Sequence, residues 1–220
     1  MNGDAGPKVP RRRRFLQFSL GTLLLAITVF GVWLGVQVNR MRRQREAVAA
    51  IVRLGGAVMY DYDFDAKHQQ IRNGQPAAPV WLRKALGDDF FRRPVWIYLA
   101  GVKLKNGDLA PLENLPQLDW LYLGSCELSD AELAHCASLS KLRQLDLGGT
   151  PISDAGLARL VQLKRLEWLD LQSTEVTDAG IETLKQLPRL TEIYVHGSKI
   201  SDRGKAELKR ALPNCKIDRR

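Results

Sequence analysis

The sequence predicts an α/β fold: an open solenoid with parallel strands on its inner face and short helices outside, preceded by a single N-terminal transmembrane helix. Three observations predict it. Leucines recur with a period of 24 residues from Leu118 onward. Phe15 to Val38 is a run of 24 residues without a charge. With 45% hydrophobic and 26% charged residues, the 220-residue chain has the composition of a folded protein.

The net charge of +9 belongs to one end of the chain. Residues 1–45 hold nine basic side chains against Asp4, a balance of +8, whereas residues 46–220 hold 24 basic and 23 acidic side chains, a balance of +1. A protein that grips phosphates carries its charge on the folded part, so nucleic acid is not expected as a partner. Three cysteines do not make a disulfide framework.

Residues 1–14 read as a basic tail and 15–38 as the transmembrane helix. At ~1.5 Å rise per residue the run is about 36 Å long, enough for a hydrocarbon core of ~30 Å. Arginines flank both ends, and Trp33 lies about a turn from the far end, where an amphipathic ring suits the lipid interface. The rival is a cleaved signal peptide, which calls for a shorter apolar stretch of roughly 7–15 residues and a small-x-small site. Residues 37–42 offer no such site. Five basic residues precede the span and four follow, a weak lean toward a cytoplasmic N-terminus with the repeats on the opposite side. Gly31 and Gly35 have a spacing that lets two helices approach, compatible with a homodimer.

Residues 39–93 read as a juxtamembrane helix and a cap. Ala47, Val48, Ala50, Ile51 and Leu54 have helical spacing and stop at Gly55-Gly56. From Ala57 to Phe64 the chain alternates as a strand does, Val58, Tyr60, Tyr62 and Phe64 on one face and aspartates on the other. A polar loop follows, and Trp81, Leu82, Ala85 and Leu86 suggest a short helix ending near Gly87. Some 50 residues bury too little to stand alone, so the segment is expected to cover the open edge of the first repeat.

Residues 94–220 read as about five repeats. Leu118, Leu142, Leu166 and Leu190 open successive units; Leu121, Leu145, Leu169 and Ile193 follow, then Leu123, Leu147, Leu171 and Val195. Cys126, Thr150, Thr174 and Ser198 share a small slot, where a thiol or hydroxyl can satisfy loop backbone. Leu-x-Leu puts both leucines on one face of a short strand. Each Ser/Thr-Asp pair reads as a helix start, and Ser129 to Glu132 has the spacing of a capping box. Leu157, Leu160 and Leu163 then make one apolar face of a short helix. A degenerate unit precedes, with Pro94 in place of the opening leucine. In the last unit Lys205 replaces an apolar residue, and one extra residue shifts Leu212 and Cys215. Departures at both ends suit a stacked array, because the terminal units meet water.

The pattern L-x-x-L-x-L-x-x-(C/T/S)-x-(L/I/V)-(S/T)-D resembles the leucine-rich repeat, of the cysteine-containing type with threonine-substituted bacterial relatives. The layout is similar to short membrane-anchored leucine-rich repeat proteins of bacteria. The resemblance implies the open arc and a role in binding macromolecules, and supplies no catalytic residues.

Candidate chemistry is sparse. Asp61-x-Asp63-x-Asp65 lacks the glycine and glutamate a calcium loop needs. Cys126, His135 and Cys136 match no zinc spacing, and both cysteines fall in repeat columns. No nucleophile motif or phosphate loop is present. Neither a metal, a cofactor nor an enzyme is therefore expected.

The candidate site is the concave face. Trp96, Tyr98, Trp120, Tyr122, Gln144, Asp146, Trp168, Asp170, Glu192 and Tyr194 are the strand positions pointing away from the core, with Gly124, Gly148, Gln172 and His196 at the edge. Of these, the aromatics with Asp146, Asp170 and Glu192 are the expected partner-binding residues. Exposed Trp and Tyr are common hot spots. Five acids, counting Asp119 and Glu167, against Arg143 alone suit a basic or amphipathic protein segment. The expected function is a membrane-anchored scaffold for protein interaction, held in lipid by its anchor. Aromatic platforms also stack on sugars, so a cell-wall or carbohydrate binder is the first rival. A regulatory substrate adaptor is the second, on the likeness of cysteine-containing repeats to F-box proteins, although no F-box-like segment stands before the repeats.

Overall fold

A computed structural model describes residues 20–64, 69–71, 74–76 and 78–218. The expected basic tail, the first residues of the apolar run and Asp65 of the aspartate triplet lie outside the described residues. The chain divides into two compact units, Met1–Asn39 and Arg40–Arg220.

The described part of the first unit is helical, within α1 (Leu20–Arg53). It is long and apolar enough to cross a membrane. Leu23, Leu24, Leu25, Ile27, Val29, Phe30 and Val32 are all exposed. Thr28 donates its hydroxyl to the Leu24 carbonyl at 2.9 Å, which satisfies a polar group within the helix itself.

In the second unit, Ala47 and Ile51 at the end of α1 are buried in the core. The helix stops where Gly55 adopts a positive φ of 90°. The chain then enters β1 (Ala57–Tyr60), which pairs antiparallel with β2 (Pro94–Tyr98). Strand β1 thus lies beside β2 on the side away from the later strands, and Ala47 and Ile51 join the same core cluster. The expected strand to Phe64 is cut short. Residues 61–63 form a single 3-10 turn, held by the Tyr60 amide donating to Asp63 Oδ2 at 2.9 Å. An aspartate that can bond backbone three residues back favours a turn over continued pairing. Helix α2 (Val80–Leu86) forms as expected but buries none of its residues, and Trp81 is exposed.

From β2 the sheet continues through parallel strands β3 (Trp120–Tyr122), β4 (Gln144–Asp146), β5 (Trp168–Asp170), β6 (Glu192–Tyr194) and β7 (Lys216–Ile217), in chain order. The register holds at 24 residues: Ile97, Leu121, Leu145, Leu169 and Ile193 pair in sequence and are fully buried. It also holds at the last step, where Glu192 pairs with Lys216. The extra residue ahead of Leu212, after α5 (Asp202–Ala211), still displaces Cys215, which is buried in the slot of Leu190, and is offset by one residue fewer between Cys215 and β7.

The outer halves of the repeats are mostly 3-10 turns, at 110–114, 132–138, 159–162 and 178–180. Short α segments occur at α3 (Asp154–Ala158) and α4 (Ile181–Leu184). A 3-10 turn rises ~2.0 Å per residue, so it spans the strand-to-strand return with fewer residues than an α-helix.

The small slot behaves as read. The hydroxyls of Thr150, Thr174 and Ser198 donate to the carbonyls of Leu147, Leu171 and Val195 at 2.6–2.7 Å, and the Cys126 thiol reaches the Leu99 carbonyl at 3.1 Å. Cys136 fills the leucine column of the outer face, and complete burial pushes its thiol up to about 12. Ser153, Thr177 and Ser201 cap as expected, accepting from the amides of Ala155, Ala179 and Gly204. Ser129 does not cap. Instead Glu132, 6% exposed, turns back to accept from the amides of Gly107 and Leu109 at 2.9 and 3.3 Å. The irregular preceding loop leaves those donors without a strand or helix partner, and the carboxylate satisfies them.

Candidate interaction surface

The register builds the expected concave face, the side of the sheet opposite the buried leucines, as two columns. Trp96, Trp120, Gln144, Trp168 and Glu192 stand side by side in one; Tyr98, Tyr122, Asp146, Asp170 and Tyr194 form the other. The period-two alternation that buries Leu121 or Leu169 turns its neighbours on either side to the opposite face.

Five rings form an unbroken strip across this face. Tyr98 stacks on Trp96 at 5.7 Å and 15°; Trp96 meets Tyr122 at 5.7 Å; Tyr122 meets Trp168 at 6.4 Å; Trp168 meets Tyr194 at 5.6 Å. Tyr122 and Trp168 lie on β3 and β5, so their contact crosses β4, where Gln144 leaves room. Polar tips tie the strip down. The Tyr122 hydroxyl donates to Gln144 Oε1 at 3.1 Å. The Tyr194 hydroxyl donates to Glu192 Oε1 at 2.6 Å. Rings fixed in this way lose little side-chain freedom when a partner docks.

Trp120 departs from the expected site. It is 8% exposed, with the Phe64 ring 5.0 Å away. It belongs to the packing beneath Phe64 and offers no open surface. Tyr98 is the most open ring of the strip, at 45% exposure. The other predicted residues, Trp96, Tyr122, Asp146, Trp168, Asp170, Glu192 and Tyr194, are half-buried.

The electrostatics are also more structured than a count of charges indicates. Arg143 and Glu167 form a two-pronged pair at 3.2 and 2.8 Å, which cancels one acid of the face. Asp146 Oδ1 accepts from the Gly148 amide at 2.8 Å and Asp170 Oδ1 from the Gln172 amide at 2.7 Å. Burial nevertheless raises both carboxyls above their ordinary value.

Sequence reasoning missed two features. Phe64 carried no local signal of its contact with Trp120, because that contact is long-range. The aspartates of the Ser/Thr-Asp pairs, read as parts of helix starts, face the next repeat. Asp130 accepts from the amide and hydroxyl of Ser153, Asp154 from those of Thr177, and Asp178 from those of Ser201. The recurrence of Gly two residues after each of Asp154, Asp178 and Asp202 was the available clue. A Cβ at Gly180 would lie 2.7 Å from Asp154 Oδ1, so the glycine makes room for the carboxylate of the preceding unit. Among the described residues no group of three or more His, Cys, Asp or Glu is placed to hold a metal ion.

Residues 138–161 match the family model described as leucine-rich repeat. Among solved structures, an internalin of Listeria monocytogenes is 31% identical, with a TM-score of 0.44 over 51% of this chain and 31% of that one. A second internalin of the same species, internalin C2, is 23% identical, with a TM-score of 0.44 over 60% of this chain and 63% of that one. The ectodomain of the receptor kinase SOBIR1 of Arabidopsis thaliana is 14% identical, with a TM-score of 0.46 over 80% of this chain and 90% of that one. The chain thus spans about a third of the first internalin's length. No curated protein matches it.

Proposed function

We propose that this leucine-rich repeat chain is a membrane-anchored scaffold that binds a protein partner through its concave face and does no chemistry of its own. The observation that carries the reading is the aromatic strip from Tyr98 to Tyr194, five rings in continuous contact on one side of the sheet. Large rings packed on one another are the groups from which interfaces draw most of their energy. Asp146, Asp170 and Glu192 beside them favour a basic or amphipathic segment and disfavour nucleic-acid phosphate. The anchor rests on the apolar helix that begins the described chain, exposed over residues 20–33, with arginines flanking the apolar run in the sequence. Pairing of two anchors through Gly31 and Gly35 is compatible with the open space around both glycines.

Site-specific photocrosslinking in native membranes tests the reading. A benzophenone amino acid at position 98 should capture a discrete protein, and the same probe at position 164, on the outer side of the repeats, should not. Capture from position 164 alone, or glycan polymer as the sole adduct at 98, would contradict it.

A further inference from the structure

The Tyr column of the concave face has a gap. Between Tyr122 and Tyr194 it holds Asp146 and Asp170, paired directly across β4 and β5. Adjacent strands lie about 4.8 Å apart, so two carboxylates stand side by side. Trp168, from the neighbouring column, closes the gap with its ring 6.4 Å from Tyr122 and 5.6 Å from Tyr194. Three rings from three strands therefore form an arc around two carboxylates.

The carboxylates keep unused capacity. Each accepts one backbone amide, from Gly148 and Gln172 respectively, whereas an ionised carboxylate offers about four acceptor positions. Among the described residues, no Lys, Arg or His forms an ion pair with either. On the loop side the carboxylates lie against glycine backbone rather than against side chains. A Cβ at Gly124 would lie 2.9 Å from Asp146 Oδ2, and one at Gly148 would lie 3.2 Å from Asp170 Oδ1.

For folding alone, this arrangement is unfavourable. Burial opposes the charge on both residues, and the charge of Asp146 adds to the opposition at Asp170. Asparagine would accept the same amides with no charge. A cation held between the carboxylates would relieve both penalties, and the electron-rich ring faces would attract it further. A planar guanidinium fits this setting better than an ammonium, because it carries five donors in a fixed fork and stacks on aromatic rings.

We infer that Asp146 and Asp170, walled by Tyr122, Trp168 and Tyr194, form a subsite for an arginine side chain on the docking segment of a partner. The carboxylates accept from the guanidinium while the rings pack against its plane. The inference rests on the concave-face reading above and adds to it one chemical anchor.

The test uses the full chain in lipid nanodiscs with its five tryptophans replaced by 5-fluorotryptophan, so that Trp33 and Trp81 serve as internal controls. The probe is acetyl-Gly-Arg-Gly-amide, read by ¹⁹F NMR. A saturable shift at Trp168 is expected. It should weaken at least tenfold for the citrulline peptide, which keeps the shape and loses the charge, and for the lysine peptide. It should also weaken at least tenfold in the Asp146→Asn/Asp170→Asn variant, whose other fluorine signals report that it is folded. No shift at Trp168, an equal response to citrulline or lysine, or an undiminished response in the double variant would each overturn the subsite. All of these outcomes would leave photocrosslinking from position 98 standing, so the subsite can fail separately from the concave-face reading.

Discussion

The carboxylate of Asp154 accepts hydrogen bonds from both the amide and the hydroxyl of Thr177, at 2.9 and 2.6 Å, one repeat further along the chain. The same bond pair links Asp130 to Ser153 and Asp178 to Ser201. These bonds run along the stack outside the sheet and hold each loop to its neighbour. Asp154→Ala should remove an acceptor from two donors and cost on the order of 1–3 kcal/mol. Hydrogen exchange of the full chain in detergent should show the Thr177 amide losing protection while the Leu145 amide, on the sheet, keeps most of its own.

Gly180 should couple to that aspartate. Its added Cβ in Gly180→Ala would meet Asp154 Oδ1 at 2.7 Å and the Val176 side chain at 2.8 Å. The variant should be destabilised, and the double variant with Asp154→Ala should lose less than the sum of the two single losses. Additive losses in thermal unfolding would mean that the carboxylate is not what excludes a side chain at 180.

Core and face should separate at adjacent residues. Leu169 is fully buried, and Leu169→Ala should cost about 2–5 kcal/mol. Asp170→Asn should behave oppositely at neutral pH. A carboxyl raised in the fold stabilises it fully below the unfolded value of about 3.9 and loses that contribution as pH rises through the folded value. The Asp146→Asn/Asp170→Asn variant should therefore melt at a progressively higher temperature than the parent as pH rises from acid to neutral. A difference independent of pH would show that neither carboxyl is raised.

Removing the cover from Trp120 should be visible. Phe64→Ala takes away the ring 5.0 Å from an indole that is 8% exposed. In chains labelled with 5-fluorotryptophan, the Trp120 signal should become sensitive to a soluble paramagnetic quencher, whereas the Trp33 signal should not change.

The repeat was legible because its information is local and redundant. Four copies of the spacing, 24 residues apart, and the degenerate unit ahead of them placed strands β2 to β6 and the columns Trp96 to Glu192 and Tyr98 to Tyr194. What stayed hidden lies between segments. Phe64 reaches Trp120 across 56 positions of chain, and its alternation with the aspartates reads as a strand although the chain turns at Asp61. Glu132 has capping-box spacing, yet the donors left over at Gly107 and Leu109 claim its carboxylate. Asp154 satisfies a helix-start pattern equally well whether it faces its own turn or the next one. Local spacing cannot distinguish these, because the deciding partner comes from another repeat.

The anchor is tested by alkaline carbonate extraction. The full chain should remain in the membrane fraction and retain its N-terminus. Release into the supernatant, or a mature form beginning beyond Asn39, would contradict an uncleaved span.

The most direct test of the central claim is the affinity of the partner captured from position 98 for variants on the two sides of the repeats. Trp168→Ala should weaken binding by about 2 kcal/mol or more, as expected for an aromatic hot spot, with the folded signal retained. Lys185→Ala, which removes only surface pairs with Glu182 and Glu207, should leave affinity nearly unchanged. Full binding by folded Trp168→Ala together with loss of binding by Lys185→Ala would place the interface on the outer side and contradict the account.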